Sequence, residues 1–222
     1  MDKATPPLVN RAGNGDPVQD AGPKSPLPIA ELRRDSYDTN AALEVFDNCL
    51  LVAAGLPLDK DLNTHPLVLV QGAKALVGLR PDRPSRRLVD FALDICAGGQ
   101  SEPWDRDLLH ISPDKLGLTV SVGDLEEAIL AGDPALAREN MGRLLLVTAN
   151  QSFMFDILLD VAARQPVHAG SLVPFIHYAR RAADFVGPPN LADFLLPALE
   201  VAVMARAGGG PPATAQEPRS PG

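Results

Sequence analysis

The chain is poor in aromatic residues, with one Trp, two Tyr and seven Phe among 222 residues. Large rings cannot dominate its core, so Leu, Val and Ala must fill it, and a hydrophobic content of 45% supplies enough of them. Cysteine is almost missing. Cys49 and Cys96 each lie in an apolar stretch, DNCLLV and LDICAG. Two thiols so placed exclude a disulfide framework and a Cys-x-x-Cys metal site. They read as buried structural groups in a reducing, cytoplasmic setting.

Positive charge is also short. Twenty Lys and Arg face 28 Asp and Glu, giving a formal charge of −8 and an isoelectric point near 4.9. Nucleic acid is disfavoured, because phosphate binding draws on Lys and Arg to release counterions. A protein or peptide partner of basic character is the charge-complementary expectation. No apolar run approaches the ~20 residues that span a bilayer. The first residues lack the basic-then-apolar order of a secretory signal, so none is expected. There is no glycine-rich phosphate loop after a strand, no His-Glu-x-x-His and no Gly-x-Ser-x-Gly. The enzyme classes that such motifs report are unsupported.

Helical periodicity is what the chain does have, and it is clearest over residues 124–165. Gly132-Asp133-Pro134 reads as a helix junction: a glycine able to close one helix, an aspartate able to cap the next, and a proline at a first position that needs no amide hydrogen. Leu125, Ala128 and Ile129 form the stripe before it. Leu136, Asn140, Met141, Leu144, Val147 and Thr148 form the stripe after it. Ser152 opens a further helix with Met154, Ile157, Leu158 and Val161 inward, and Pro166 ends it.

The same reading extends outward. Asp38 or Thr39 caps a helix to Ala54 with Ala42, Val45, Phe46, Cys49, Leu50 and Ala53 inward. Thr64 or His65 opens a second with Leu69, Gly72, Ala73 and Leu76. Pro84 opens a third with Leu88, Phe91, Ala92 and Ile95. Trp104, Leu108 and Ile111 suggest a short amphipathic helix after Ser101. Leu116, Leu118, Val120 and Val122 alternate as in a strand, yet no partner strand is apparent, so irregular or helical structure is preferred there. Ser171 opens a helix to Val186, and Asn190 opens the last one, which contains Pro197.

Ten of the 22 prolines fall in residues 1–28 and 207–222, which carry no stripe to bury and are expected to be disordered tails. The expected fold is therefore a single all-α domain over residues 29–206. Helix pairs beginning near residues 65, 101, 134 and 171 are spaced by 36, 33 and 37, as in a helical repeat. VDFALDICA (89–97) also aligns with FDILLDVAA (155–163), placing Asp90 over Asp156 and Asp94 over Asp160. The architecture is either a short right-handed array of antiparallel α-hairpins, solenoid-like, or an irregular helical bundle.

Chemistry-bearing residues are few. His110 follows Asp107 at i+3, a spacing at which imidazole and carboxylate can share a metal. His65 lies ahead of Pro66 on a helix stripe, and His168 lies in a loop. His177 stands mid-helix beside an apolar stripe and Arg180, Arg181 and Asp184. Pro197 frees the carbonyl of Asp193, so the last two helices are the expected walls of any pocket. Asp90/Asp94 and Asp156/Asp160 fall off the apolar stripes and read as solvated faces.

Two functions follow as expectations. One is a helical protein-binding or assembly module. The other is a small oxidoreductase or metal-dependent enzyme using His65, His110 and His177 with Asp107. Convergence of those side chains separates the two. No particular cofactor is implied by these residues.

Overall fold

The computed structural model describes residues 22–58, 61–111 and 119–207. Among them are eight α-helices and no strand: α1 Thr39–Ala54, α2 Pro66–Val77, α3 Arg86–Ala97, α4 Val122–Ala131, α5 Pro134–Val147, α6 Phe153–Ala163, α7 Ala169–Val186 and α8 Leu191–Ala207. The chain is all-α. Among the described residues no helix is long and apolar enough to cross a membrane.

Local chemistry sets most of the helix ends. The Asp38 carboxylate accepts the amide of Ala41 and starts α1. The His65 ring accepts the amide of Leu67 at 3.2 Å and, with Pro66 at the first position, starts α2. Ser121 and Asp124 form a reciprocal capping box for α4. Gly132 closes α4 with φ at 72°, a region costly for any residue with a Cβ, and Asp133 accepts the amides of Ala135 and Leu136 to start α5.

The packing joins elements far apart in sequence. α7 lies against α1, α2, α6 and α8, while α8 lies against α1, α4, α5, α6 and α7. A linear array would leave each hairpin touching only its neighbours; here the first and last helices share one core. α2, α5 and α7 begin near three of the expected starts, and α2 packs on α3 and α7 on α8, but α5 packs on α4 rather than on α6, so the spacing does not correspond to a run of equivalent hairpins. Where a unit is expected near residue 101, the described residues before α4 hold a 3-10 turn at Arg106–Leu109 and no α-helix. The arrangement is that of an irregular bundle around α7 and α8.

Residues 22–28, grouped by composition with the N-terminal tail, touch this bundle. The Lys24 amide donates to Asn190 Oδ1 at 3.1 Å, the Asn190 side chain donates back to the Lys24 carbonyl at 3.0 Å, and the Leu27 amide donates to Asn48 Oδ1 at 2.7 Å. The rest of the expected tails, 1–21 and 208–222, lies outside the described residues.

The expected stripes of α1, α4 and α6 are buried residue for residue, and the apolar stripe of α7 is buried at Leu172, Ile176, Ala179 and Ala183, but three others turn differently. In α5, Ala137, Asn140, Met141 and Leu144 are buried, while Leu136 is exposed and Val147 is 74% exposed. The reason is Gly142, on whose face the chain crosses: a Cβ there would meet the Leu109 carbonyl at 2.4 Å and Ile111 Cδ1 at 2.7 Å. In α3 the inward residues are Val89, Ala92, Leu93 and Cys96, with Phe91 exposed. In α2, Leu67, Val70, Gln71, Ala73 and Val77 are inward, and Leu76 is 55% exposed. That helix is apolar nearly all round, so periodicity alone could not choose its face.

Gly72 of the α2 stripe meets nothing within 4 Å of a Cβ built on it. Pro174 sits inside α7. Of the four alternating residues, Leu116 and Leu118 lie outside the described residues, and Val122 is the first residue of α4. Both thiols are buried. Cys96 donates to the Cys49 carbonyl at 3.3 Å, and the Cys96 hydrogen bond together with burial pushes the Cys49 thiol far above its ordinary range.

Candidate functional site

The histidines singled out by sequence do not converge. His65 is 1% exposed; one ring nitrogen caps α2, and the ring meets Phe175 of α7 edge-on at 5.1 Å. His110 and Asp107 are exposed at opposite ends of one turn, joined by the His110 amide and the Asp107 carbonyl at 2.9 Å. His177 is exposed on α7, two residues beyond buried Phe175 and so on the other side of the helix, edge-on to Tyr178 at 5.6 Å. His168 ends the loop before α7, and its carbonyl accepts the Ser171 hydroxyl. Among the described residues no three His, Cys, Asp or Glu side chains group as metal ligands. The four paired acids are committed to arginines: Asp90 to Arg86, Asp94 to Arg33, Asp156 to Arg180 and Asp160 to Arg164.

The expected pair of walls occurs in a pocket lined by Ala183 and Asp184 of α7 and Leu191 of α8, but His177 is not among its lining residues. His177 lines a hollow of about 450 Å³ with Arg180, Arg181, Asp184 and Phe185 of α7, but the opposite wall is Lys74 of α2. α8 contributes none of the hollow's lining residues. Asp193 has another role. Its carboxylate takes two hydrogen bonds from Arg106, at 2.8 and 2.5 Å, and one from Asn190 at 2.8 Å, holding the start of α8 to the 3-10 turn.

A second cavity of about 390 Å³ continues from that hollow past the same Lys74, Arg181 and Phe185. α1 supplies Ala42, Leu43 and Phe46 to it, α2 supplies Ala75 and Val77, and the link to α3 supplies Leu79, Pro81 and Pro84. Thr39 donates its hydroxyl to the Pro81 carbonyl at 2.7 Å and so ties the link to the start of α1. The floor is apolar. At its rim Leu79 is 77% exposed, and Leu43 and Leu76 are exposed nearby.

Cations stand on this rim without carboxylate partners. The Lys74 ammonium sits 4.1 Å from the centre of the Phe185 ring and 3.4 Å from Gln71 Oε1. Burial, and then the nearby Arg181 guanidinium, holds its pKa below the ordinary lysine value. Arg181 makes no ion pair among the described residues, nor do Arg80 and Arg83 in the adjoining link or Arg87 in the first turn of α3. Arg86 and Arg87 stand at the positive end of the α3 dipole, where cations are disfavoured. The acids nearby do not compensate. Asp38 caps α1, while Asp82 and Asp184 are exposed and form no ion pair among the described residues. By contrast Arg33, Arg34, Arg106, Arg138, Arg143, Arg164 and Arg180 all pair with acids elsewhere.

Sequence reasoning reached Arg180, Arg181, Asp184 and His177 through their shared helix but missed Lys74, Phe46 and the 79–84 link. Those come from separate stretches that only the packing of α1 and α2 against α7 brings together. Compared with family models, curated proteins and solved structures, the chain shows no match to any of them.

Proposed function

We propose that this chain is a helical protein-binding module whose working surface is the cleft between α1, α2 and α7. The observation that carries the reading is an apolar cavity lined by Phe46, Val77 and Phe185 and edged by two exposed leucines, Leu43 and Leu79. Exposed aliphatic side chains ringing a concavity are how a folded chain keeps apolar area available for a partner. Among the described residues no group of three His, Cys, Asp or Glu side chains gathers to support the enzyme reading to a similar degree.

The test is steric. Ala75 lines the cavity and is exposed, so Ala75→Trp fills the mouth without disturbing buried atoms. A photo-crosslinking residue at position 79 is expected to capture a protein in extracts of the source cells, and Ala75→Trp is expected to abolish that adduct while the melting temperature holds. An adduct untouched by Ala75→Trp, or equal capture from position 146 on α5, would remove the cleft from consideration.

A further inference from the structure

The charge of the whole chain and the charge of this cleft point in opposite directions. The sum is −8, which favours a basic partner. Yet Lys74 and Arg181, the two charged residues that line the cavity, repel one another and make no ion pair among the described residues, and Arg80, Arg83 and Arg87 follow in the adjoining link and the start of α3, likewise unpaired, with Asp82 the one acid among them. A protein with eight more acids than bases had many ways to neutralise these five cations within itself, and elsewhere it does so with its arginines. Holding like charges together costs stability and is repaid when an anion arrives.

Resting on the reading of this cleft as a protein-binding surface, we infer that its occupant is an acidic peptide segment. One or two apolar side chains of that segment enter between Phe46, Val77 and Phe185, and its carboxylates meet Lys74, Arg181 and the arginines of the link. The concavity argues for an inserted side chain rather than a flat lipid surface. Its aliphatic floor offers no stacked-base platform of the kind single-stranded nucleic acids use. The cation on the Phe185 ring stands where a carboxylate leaving water can reach it, with the apolar floor directly beside it.

The experiment titrates the full, ¹⁵N-labelled chain with three blocked ten-residue peptides. The first carries Glu and Asp around two Leu and one Phe. The second replaces its acids with Lys. The third keeps the acids and replaces the apolar residues with Ser. Phosphatidylserine vesicles and a single-stranded oligonucleotide are run beside them. The first peptide is expected to shift the amides of residues 75–81 and 181–185 and to bind about tenfold more tightly than either of the others. Raising the salt is expected to weaken it. Lys74→Gln with Arg181→Gln is expected to reduce its affinity about tenfold with an unchanged melting temperature.

Equal or tighter binding by the Lys peptide would overturn the acidic assignment while leaving the protein-binding reading intact. Binding of vesicles or oligonucleotide in place of the peptides, through the same amides, would overturn both. Failure of all five probes would overturn the inferred occupant, and the crosslink at position 79 would then decide the broader reading by itself.

Discussion

Lys74 shows at the scale of one residue how a site and a stable fold pull apart. Its ammonium is partly buried beside another cation, and both effects lower its pKa from the ordinary 10.5. The folded state therefore binds this proton less well than the unfolded chain does. Below the folded value, lysine is charged in both states and the fold bears the full cost; as pH rises from the folded value toward 10.5, that cost is relieved. Lys74→Met is accordingly expected to melt at the same temperature as the native chain at pH 7, or slightly above it. Its advantage should shrink as the pH approaches 10, in paired thermal melts. A clear loss of stability at pH 7 would mean that contact with the Phe185 ring outweighs burial. Glycines give a second contrast. Gly142→Ala must displace Leu109 or Ile111, so it should destabilise. Gly72→Ala meets nothing and should stabilise by up to about 1 kcal/mol in denaturant unfolding.

At the scale of elements, the helix ends were the most legible part of the sequence, because capping is decided within four residues. Gly132-Asp133-Pro134 and His65-Pro66 act as their side-chain chemistry requires. Asp133→Ala should cost about 1 kcal/mol by removing the acceptor of two amides. The capping box at Ser121 and Asp124 was equally local but stood behind the alternating apolar residues before it. Faces were less legible than ends. Exposed Glu44 marks the outer side of the first half of α1, and exposed Asp156 and Asp160 mark that of α6, whereas in α2 the polar Gln71 is itself buried, and only its neighbours choose which leucines stay outside. Leu76 remains there, and Leu79, just beyond the helix, edges the cleft. The N-terminal segment makes a further test. Removing residues 1–21 should leave the melting temperature in place, but removing 1–28 should lower it, because Asn190 and Asn48 would lose the Lys24 and Leu27 backbone partners. Equal melting of the two truncations would show that these hydrogen bonds add nothing.

At the scale of the whole molecule, the helical class was readable from periodicity, but the closure of the bundle was not. Contacts between α2 and α7, or between α1 and α8, span more than 100 residues and leave no local trace. The same closure builds the cleft, so the candidate site was legible only in its α7 part. Net charge and the proposed cleft point to partners of opposite sign for a related reason: net charge sums over the surface, while a partner meets one patch of it.

The central claim is that carboxylates of a bound acidic segment contact Arg181 and Lys74 across this cleft. A double-mutant cycle tests it most directly. It pairs Arg181→Gln with replacement of each acid of the acidic peptide by its amide, with affinity read by titration calorimetry at low and high salt. One acid is expected to couple to Arg181 by about 1 kcal/mol or more, and the coupling should fade as salt is added. Additivity at every acid, within about 0.5 kcal/mol, would contradict the claim.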